Sequence, residues 1–440
     1  MRVLCTGDLH IGRTPSKAAD GPPDPAWSAR AAWRSIVDLA IAERVDLLAI
    51  SGDLVDADNA YFEAIGAVEE GVRKLRAAGI PVAAVAGNHD AGILPRIFDR
   101  VGDDSVRLLG RGQTWERWTL FGPDGSARLH VDGWSFASKH VAVDPIASRP
   151  NWADDGTPTL AIVHGDLDVP GSRYAPLTRA ALQTRPVALW LLGHIHVPRL
   201  LTAPAAPPIL YPGSPHALDP GETDVHGVWL IDLSQRDALP ALVPLSPVRY
   251  DAVTLDVGGS ATVDDALDRI RAGMRARLVA AASEHGGDRL RVLSLRVRVV
   301  GAVDWPAAAL AARAADLRDA DEWLGAARLC LDDLVFAVRR PHDLVALARV
   351  GDPPGAVAKL LLELQTDPPG DAARDLLRRA AGIASVTAAG PGFDQWTPVG
   401  EHEVDDHPGL APDDATLHAL VVAQAEALLD ALLAQKEPAR

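Results

Sequence analysis

A chain of 440 residues with 48% hydrophobic residues has room for two or three domains, and its composition is that of a globular α/β protein, not a disordered or fibrous one. Cys5 and Cys330 are its only cysteines and stand far apart, which argues against a disulfide framework or a thiolate cluster and fits a reducing cytoplasm. A formal net charge of -16 counts against a protein that coats nucleic acid by general electrostatics, although carboxylates neutralised by metal ions would weaken that argument.

The opening run Val3-Leu4-Cys5-Thr6 reads as a buried strand that ends at Gly7-Asp8, delivering a carboxylate where the strand stops. The residues before Gly7 are too few for a signal peptide, and no uncharged apolar run reaches the roughly 20 residues of a membrane span, so a cytoplasmic protein off the membrane is expected. After a Pro-rich loop around Pro22, Pro23 and Pro25, the spacing of Ala32, Ile36, Leu39 and Ala40 predicts a helix from Trp27 to Arg44, and Val45 to Ile50 is a second strand. Ala60 to Ala78 is helical and is stopped by Gly79; Val82 to Ala86 is a third strand running into Gly87-Asn88-His89-Asp90.

Strands are expected at Trp115–Phe121 and Ala127–Trp134, before a loop rich in Pro, Asp and Gly that runs to Pro158. Thr159 to Val163 and Ala188 to Leu192 repeat the pattern of an apolar strand followed by Gly and His. Ile209-Leu210-Tyr211 leads into Pro-Gly-Ser-Pro, and Gly227 to Leu233 is a further strand, which bounds a first domain at residues 1–248. Residues 249–440 read as a smaller α+β module. Its expected elements are a helix at Val263–Glu284, an alternating strand at Leu290–Val300, a helix at Ala307–Leu317, a strand at Leu334–Val338, and helices at Pro341–Val350 and Pro354–Gln365. A Pro/Gly/Asp-rich stretch, Pro391 to Asp414, precedes a tail helix from Ala415 to Gln435 with Leu417, Val421, Leu428 and Leu432 on one stripe.

Five short motifs stand at predicted strand ends: Asp8-Leu9-His10, Gly52-Asp53, Gly87-Asn88-His89-Asp90, His164-Gly165 and Gly193-His194-Ile195-His196. Pairs two residues apart, such as Asp8/His10 and His194/His196, can be aimed by a strand end at one cluster of metals. Mixed carboxylate, imidazole and amide ligands without sulfur suit Mn²⁺, Fe or Zn²⁺ better than a Ca²⁺ cage. Two such ions, roughly 3.5–4 Å apart, can activate water and offset the charge of an in-line attack on phosphorus. A ligand shared by both is best a carboxylate, for which Asp53 is the natural candidate.

The ordered set GDLH, GDL, GNHD, HG and GHIH resembles the signature of the calcineurin-like metallophosphoesterases over roughly the first half of the chain. That resemblance implies an α/β fold in which a β-sandwich is flanked by helices. It implies Asp8, His10 and His196 around one metal, Asn88, His164 and His194 around the other, and Asp53 bridging, with His89 as leaving-group acid or transition-state stabiliser oriented by Asp90. Asp8-Leu9-His10-Ile11-Gly12 and the Tyr211-Pro212-Gly213-Ser214-Pro215 loop are further similar to the SbcD-type DNA repair exonucleases. This implies Mn²⁺-dependent hydrolysis at linear DNA ends by a homodimer joined to an SbcC-like coiled-coil ATPase. Asp56 stands where some relatives carry a histidine and receives no catalytic role. Two other functions compete: a small-molecule phosphodiesterase or phosphatase with the same two metals, and a DNA-end-binding regulatory subunit of an ATPase complex.

Isolated motifs of this length are usually ordinary polar residues; five in order are not. His130, His140, His216 and His226 lack such support and read as surface or hydrogen-bonded histidines. Arg173-Tyr174, able in principle to meet a phosphate and a base, reads as a solvated loop.

Overall fold

The structure, a computed structural model, describes residues 1–16, 25–56, 61–169, 171–234, 238–286, 289–318, 322–388 and 414–435. The Pro/Gly/Asp-rich stretch expected from Pro391 lies outside them up to residue 413. Two compact units are present: one from the described residues of 1–251, 277–295 and 321–332, the other from those of 252–276, 296–320 and 333–440.

In the first unit, β1 (Arg2–Thr6), β2 (Leu47–Ile50), β3 (Val82–Ala84) and β4 (Val106–Leu108) are parallel neighbours. A second sheet is built from β5 (Glu116–Phe121), β6 (Ala127–Trp134), β7 (Thr159–His164), β8 (Leu189–Gly193), β9 (Arg199–Leu201) and β10 (Ile209–Tyr211), in the order β5-β6-β7-β8-β10-β9. The chain then returns through β11 (Gly227–Leu233) and β12 (Ala238–Pro244), which complete the first sheet as β12-β11-β1-β2-β3-β4. β12 carries Pro240 and Pro244, and its place at the sheet edge accommodates residues that cannot donate to a ladder.

Alternation sorts the side chains of the strands onto two faces. Val3, Cys5, Leu47, Ala49 and Ala83 meet Leu129, Val131, Leu160, Ile162, Leu189 and Leu191 of the second sheet in one apolar core. Their neighbours Leu4, Leu48, Ile50 and Val82 point the other way, against α1 (Ala29–Ala42), α2 (Tyr61–Ala77) and α3 (Leu94–Val101) through Trp33, Ile36, Val72, Leu75 and Phe98. The far face of the second sheet packs Trp134, Val163, Trp190 and Leu192 against Leu182 of α4 (Arg179–Gln183). Because both faces of the inner strands are covered, they read as continuous apolar runs. The fold is thus a mixed α/β one, a β-sandwich flanked by helices, as the sequence resemblance implies.

Local chemistry sets the element ends. The helix expected from Trp27 begins instead at Ala29, because Ser28 caps it by accepting a hydrogen bond from the Ala31 amide. Beyond the sandwich follow β13 (Val248–Asp256), α5 (Val263–Glu284) and β14 (Val292–Ala302). The helix expected at Ala307–Leu317 is broken into α6 (Ala307–Ala311) and α7 (Ala314–Arg318). β15 (Trp323–Leu324) and β16 (Ala327–Arg339) follow, and the strand expected at Leu334–Val338 is thus much longer. These four strands make a sheet in the order β13-β14-β16-β15.

In the second unit, α8 (Leu344–Leu347) and α9 (Pro353–Leu364) precede α10 (Asp371–Ala388), which the sequence reading did not anticipate, and α11 (Asp414–Ala434). Asp352 caps α9, with proline at its start, where the ring's fixed φ and missing donor are harmless. α11 packs on α9 through Ala425 and Leu429, and of the stripe expected Leu417 is buried but Leu428 is half exposed. Apolar residues lie all round α11, and periodicity cannot choose its face. Its span Asp414–Leu433, with mean hydropathy 1.4, is long and apolar enough to cross a membrane by length and composition alone. It is not uncharged, however: Glu426 and Asp430 pair with Arg339 and His342.

His285 is buried, donates from Nε2 to the Ser246 carbonyl at 3.0 Å, and is held neutral by burial and by Arg249, its pKa falling from 6.5 to about 4. A depressed imidazole means that the unfolded chain takes up the proton first, so this stability is present above pH 6.5 and is lost as pH falls toward about 4. The melting temperature of the metal-free protein is therefore expected to drop across that window, and His285→Gln to drop less; equal acid slopes in a thermal-melt series would contradict this assignment.

Candidate metal centre

The sequence-predicted residues gather where parallel strands end. Asp8 and His10 follow β1, Asp53 follows β2, Asn88, His89 and Asp90 follow β3, His164 closes β7, and His194 and His196 follow β8. The loops are zipped by backbone hydrogen bonds: the amides of Asp8, His10 and Ile11 donate to the carbonyls of Gly52, Asp53 and Leu54 at 2.9–3.0 Å. Asp8, His10, Asp53 and His194 all adopt positive φ, between 48° and 100°, a conformation that costs L residues energy and is retained where a site requires it. Glycine is required beside them: a Cβ on Gly193 would lie 2.1 Å from the Ser51 carbonyl oxygen, and one on Gly87 2.3 Å from Asp53 Oδ1.

Two sub-clusters share Asp53. In the first, His10 Nε2 and His196 Nε2 face each other at 3.1 Å, with Asp8 in the same ligand group. In the second, Asn88 Oδ1 lies 2.9 Å from His164 Nε2 and 3.1 Å from His194 Nδ1. Asp53 Oδ2 lies 3.3 Å from His164 Nε2 and 4.0 Å from His10 Nε2, while its Oδ1 accepts from the His89 amide at 2.9 Å. The Ser51 carbonyl, 3.0 Å from His164 Nδ1, can only accept, so the proton of neutral His164 sits on Nδ1. In that neutral form its Nε2 offers only a lone pair to the oxygens of Asn88 and Asp53, whereas a second proton or a bound cation satisfies all three. A buried knot of acceptors calls for a cation, and a divalent ion with N/O preference fits both groups.

The electrostatics agree. Burial pushes Asp8 up to about 6, whereas Asp53, equally buried, is held well below the carboxylate range by His164, His89 and His10. Burial opposes charge on His164 and His196, but Asp53 and Glu222 respectively outweigh it and raise both to about 9. His10 is pushed well down by burial and by His196. Without metal, protons on His164 and His196 supply the positive charge that ions supply when bound.

His89 is half-buried, its ring edge-on to His10 with centroids 4.8 Å apart. Asp90 is fully buried, and its two oxygens accept from the Gly87 and Leu54 amides, each at 2.8 Å, so it ties the GNHD loop to the GDL loop. Its hold on His89 runs through that backbone. Asp56 is buried 3.9 Å from Arg13 Nε. Four contributors escaped the sequence reading: the Ser51 carbonyl; Asp166, 3.4 Å from His194 Nε2; Glu222, 2.8 Å from His196 Nδ1; and Tyr174, buried with its ring 4.7 Å from that of His194. Tyr174 had been read as solvated. Of the unsupported histidines, His130 bonds Thr119 and Asp155, His226 bonds Ser214, and His140 is exposed beside Tyr174. His216 is buried with neither ring nitrogen bonded among the described residues, and so is not the surface or hydrogen-bonded histidine expected.

Residues 1–198 match the model of a family described as calcineurin-like phosphoesterase. The chain is 27% identical over 267 residues to the uncharacterized metallophosphoesterase YhaO of Bacillus subtilis, covering 58% of this chain and 63% of that protein. It is 28% identical over 296 residues to the DNA double-strand break repair protein Mre11 of Aeropyrum pernix, covering 61% and 66% respectively. The chain therefore spans a little under two thirds of the length of these two relatives. Mre11 of Methanopyrus kandleri is 22% identical over 337 residues, 73% of either chain. Among solved structures, a dimetal phosphatase from Danio rerio aligns at TM-score 0.36 and 12% identity, over 55% of this chain and 98% of that one. The match to the calcineurin-like phosphoesterase model lies in the N-terminal region, residues 1–198, which carries every ligand motif named above.

Mn²⁺ added to the metal-stripped protein is expected to raise its melting temperature, by the equivalent of about 2.7 kcal/mol at roughly 100 times Kd, and to release protons near pH 7. Asp53→Asn is expected to abolish both effects; a variant that takes up metal like wild type in calorimetric titration would refute the bridging role.

Proposed function

We propose that this chain is a metal-dependent phosphodiester hydrolase that acts on DNA ends. The observation that carries the reading is the convergence of Asp53, Asn88 and His164 beside the facing nitrogens of His10 and His196. When bound, two divalent ions supply Lewis-acid polarisation of the phosphoryl oxygen and a water of lowered pKa. Asp8, His10 and His196 would hold one ion, Asn88, His164 and His194 the other, with Asp53 available to both. Mn²⁺ is the preferred metal by the SbcD-type resemblance, while Fe and Zn²⁺ also suit these ligands.

His89 stands at the mouth of this cluster, half-buried beside His10, in a position to hold a proton at its imidazole for the departing oxygen. Asp90 keeps the His89 loop in register by anchoring Gly87 and Leu54. Residues 1–248 form the catalytic domain in this reading, and residues 249–440 the module that joins a partner. Two relatives named as DNA double-strand break repair proteins support DNA as substrate; the homodimer, the SbcC-like ATPase partner and the cytoplasmic location of this reading rest on the SbcD-type resemblance of the sequence alone. The second reading, a small-molecule phosphodiesterase, is favoured by the net charge of -16, since a DNA enzyme gains from a basic face.

Linear duplex DNA incubated with the metal-stripped protein and Mn²⁺ is expected to release nucleotides. His89→Ala is expected to keep its metals and lose roughly 10²–10⁴-fold in turnover. Intact DNA alongside cleavage of a generic phosphodiester would favour the small-molecule reading, and an unimpaired His89→Ala would remove the general-acid role.

A further inference from the structure

The two halves of the centre are steadied differently. His164 is fixed by a neutral backbone acceptor, the Ser51 carbonyl, and His194 lies against Asp166. His196 is instead addressed by a buried carboxylate from the irregular segment after β10: Glu222 Oε1 lies 2.8 Å from His196 Nδ1, and only 5% of the residue is exposed. Its other oxygen accepts from Ser214 Oγ and from the Leu218 amide, both at 2.8 Å, so the carboxylate cannot swing away. The Ser214 amide in turn donates to the His196 carbonyl at 2.8 Å, and His226 Nδ1 lies 2.8 Å from the Ser214 carbonyl.

We propose that Glu222 is the positioning residue of one metal only, the ion held by Asp8, His10 and His196, an inference that rests on the metal-centre reading above. A carboxylate at Nδ1 keeps that proton in place and directs the Nε2 lone pair toward His10, making the imidazole a stronger and better-aimed ligand. The ion on Asn88, His164 and His194 owes its geometry to other groups.

Glutamine at this position keeps the volume but has one acceptor oxygen, which cannot serve His196 on one side and both Ser214 and Leu218 on the other. Metal-stripped wild type, Glu222→Gln and Glu222→Asp are titrated with Mn²⁺, with free aqueous Mn²⁺ read by electron paramagnetic resonance and the fold of each metal-free protein checked by circular-dichroism melting. Wild type is expected to take up two ions. Either variant, folded, is expected to keep one ion at wild-type affinity and to bind the other about 10–100-fold more weakly. Wild-type affinity for both ions in a folded variant, or equal weakening of both, overturns the one-site assignment. Uptake of fewer than two ions by wild type overturns the metal centre itself, and this inference with it.

Discussion

Asp53 is the constraint around which the site is organised. Its carboxylate is buried where the ends of β1, β2, β3 and β7 meet, and it stays ionised there against the cost of burial. One oxygen holds the His89 loop through a backbone amide, and the other faces His164 and, further off, His10. A buried anion of this kind is tolerable only if cations or donors surround it. The imidazoles provide that in protonated form, and divalent ions held among Asn88, Asp53 and His164 would provide it as well.

The sandwich exists to keep those strand ends still. Residues that alternate between two packed apolar cores cannot shift register by one without exchanging the side chains fitted to each core. The positions that bear ligands are therefore fixed by Val3, Leu48, Ala83 and Ile162 as much as by the loops themselves. Strained backbone at Asp8, His10, Asp53 and His194 is then held by the close approach of Gly87 and Gly193 to the neighbouring strand ends. The same logic explains Asp90, a carboxylate spent on two amides, so that the histidine beside it is placed by the loop.

Much of this was legible in the sequence because ligand and scaffold are adjacent: each apolar run is followed at once by its Asp, Asn or His. Glu222 was not legible, since it reaches His196 across an irregular segment, and only the short turn Asp219-Pro220-Gly221-Glu222 hinted at a fixed conformation. Tyr174 was misread because a loop position says nothing of what covers it. β12 was missed because its prolines disqualify a central strand but not an edge one. The stripe on α11 was misplaced because a helix apolar on all sides leaves the buried face to its partner, here α9.

The substrate question turns on charge and the chemistry does not. In an acidic chain with an acceptor-rich centre, cations at that centre would have to offset its charge before an anionic phosphate could approach. The most direct test is anomalous diffraction from crystals of the protein soaked in Mn²⁺. The account predicts two peaks, one among Asp8, His10 and His196 and one among Asn88, His164 and His194, with Asp53 between them. A single peak, or peaks away from Asp53, would contradict it.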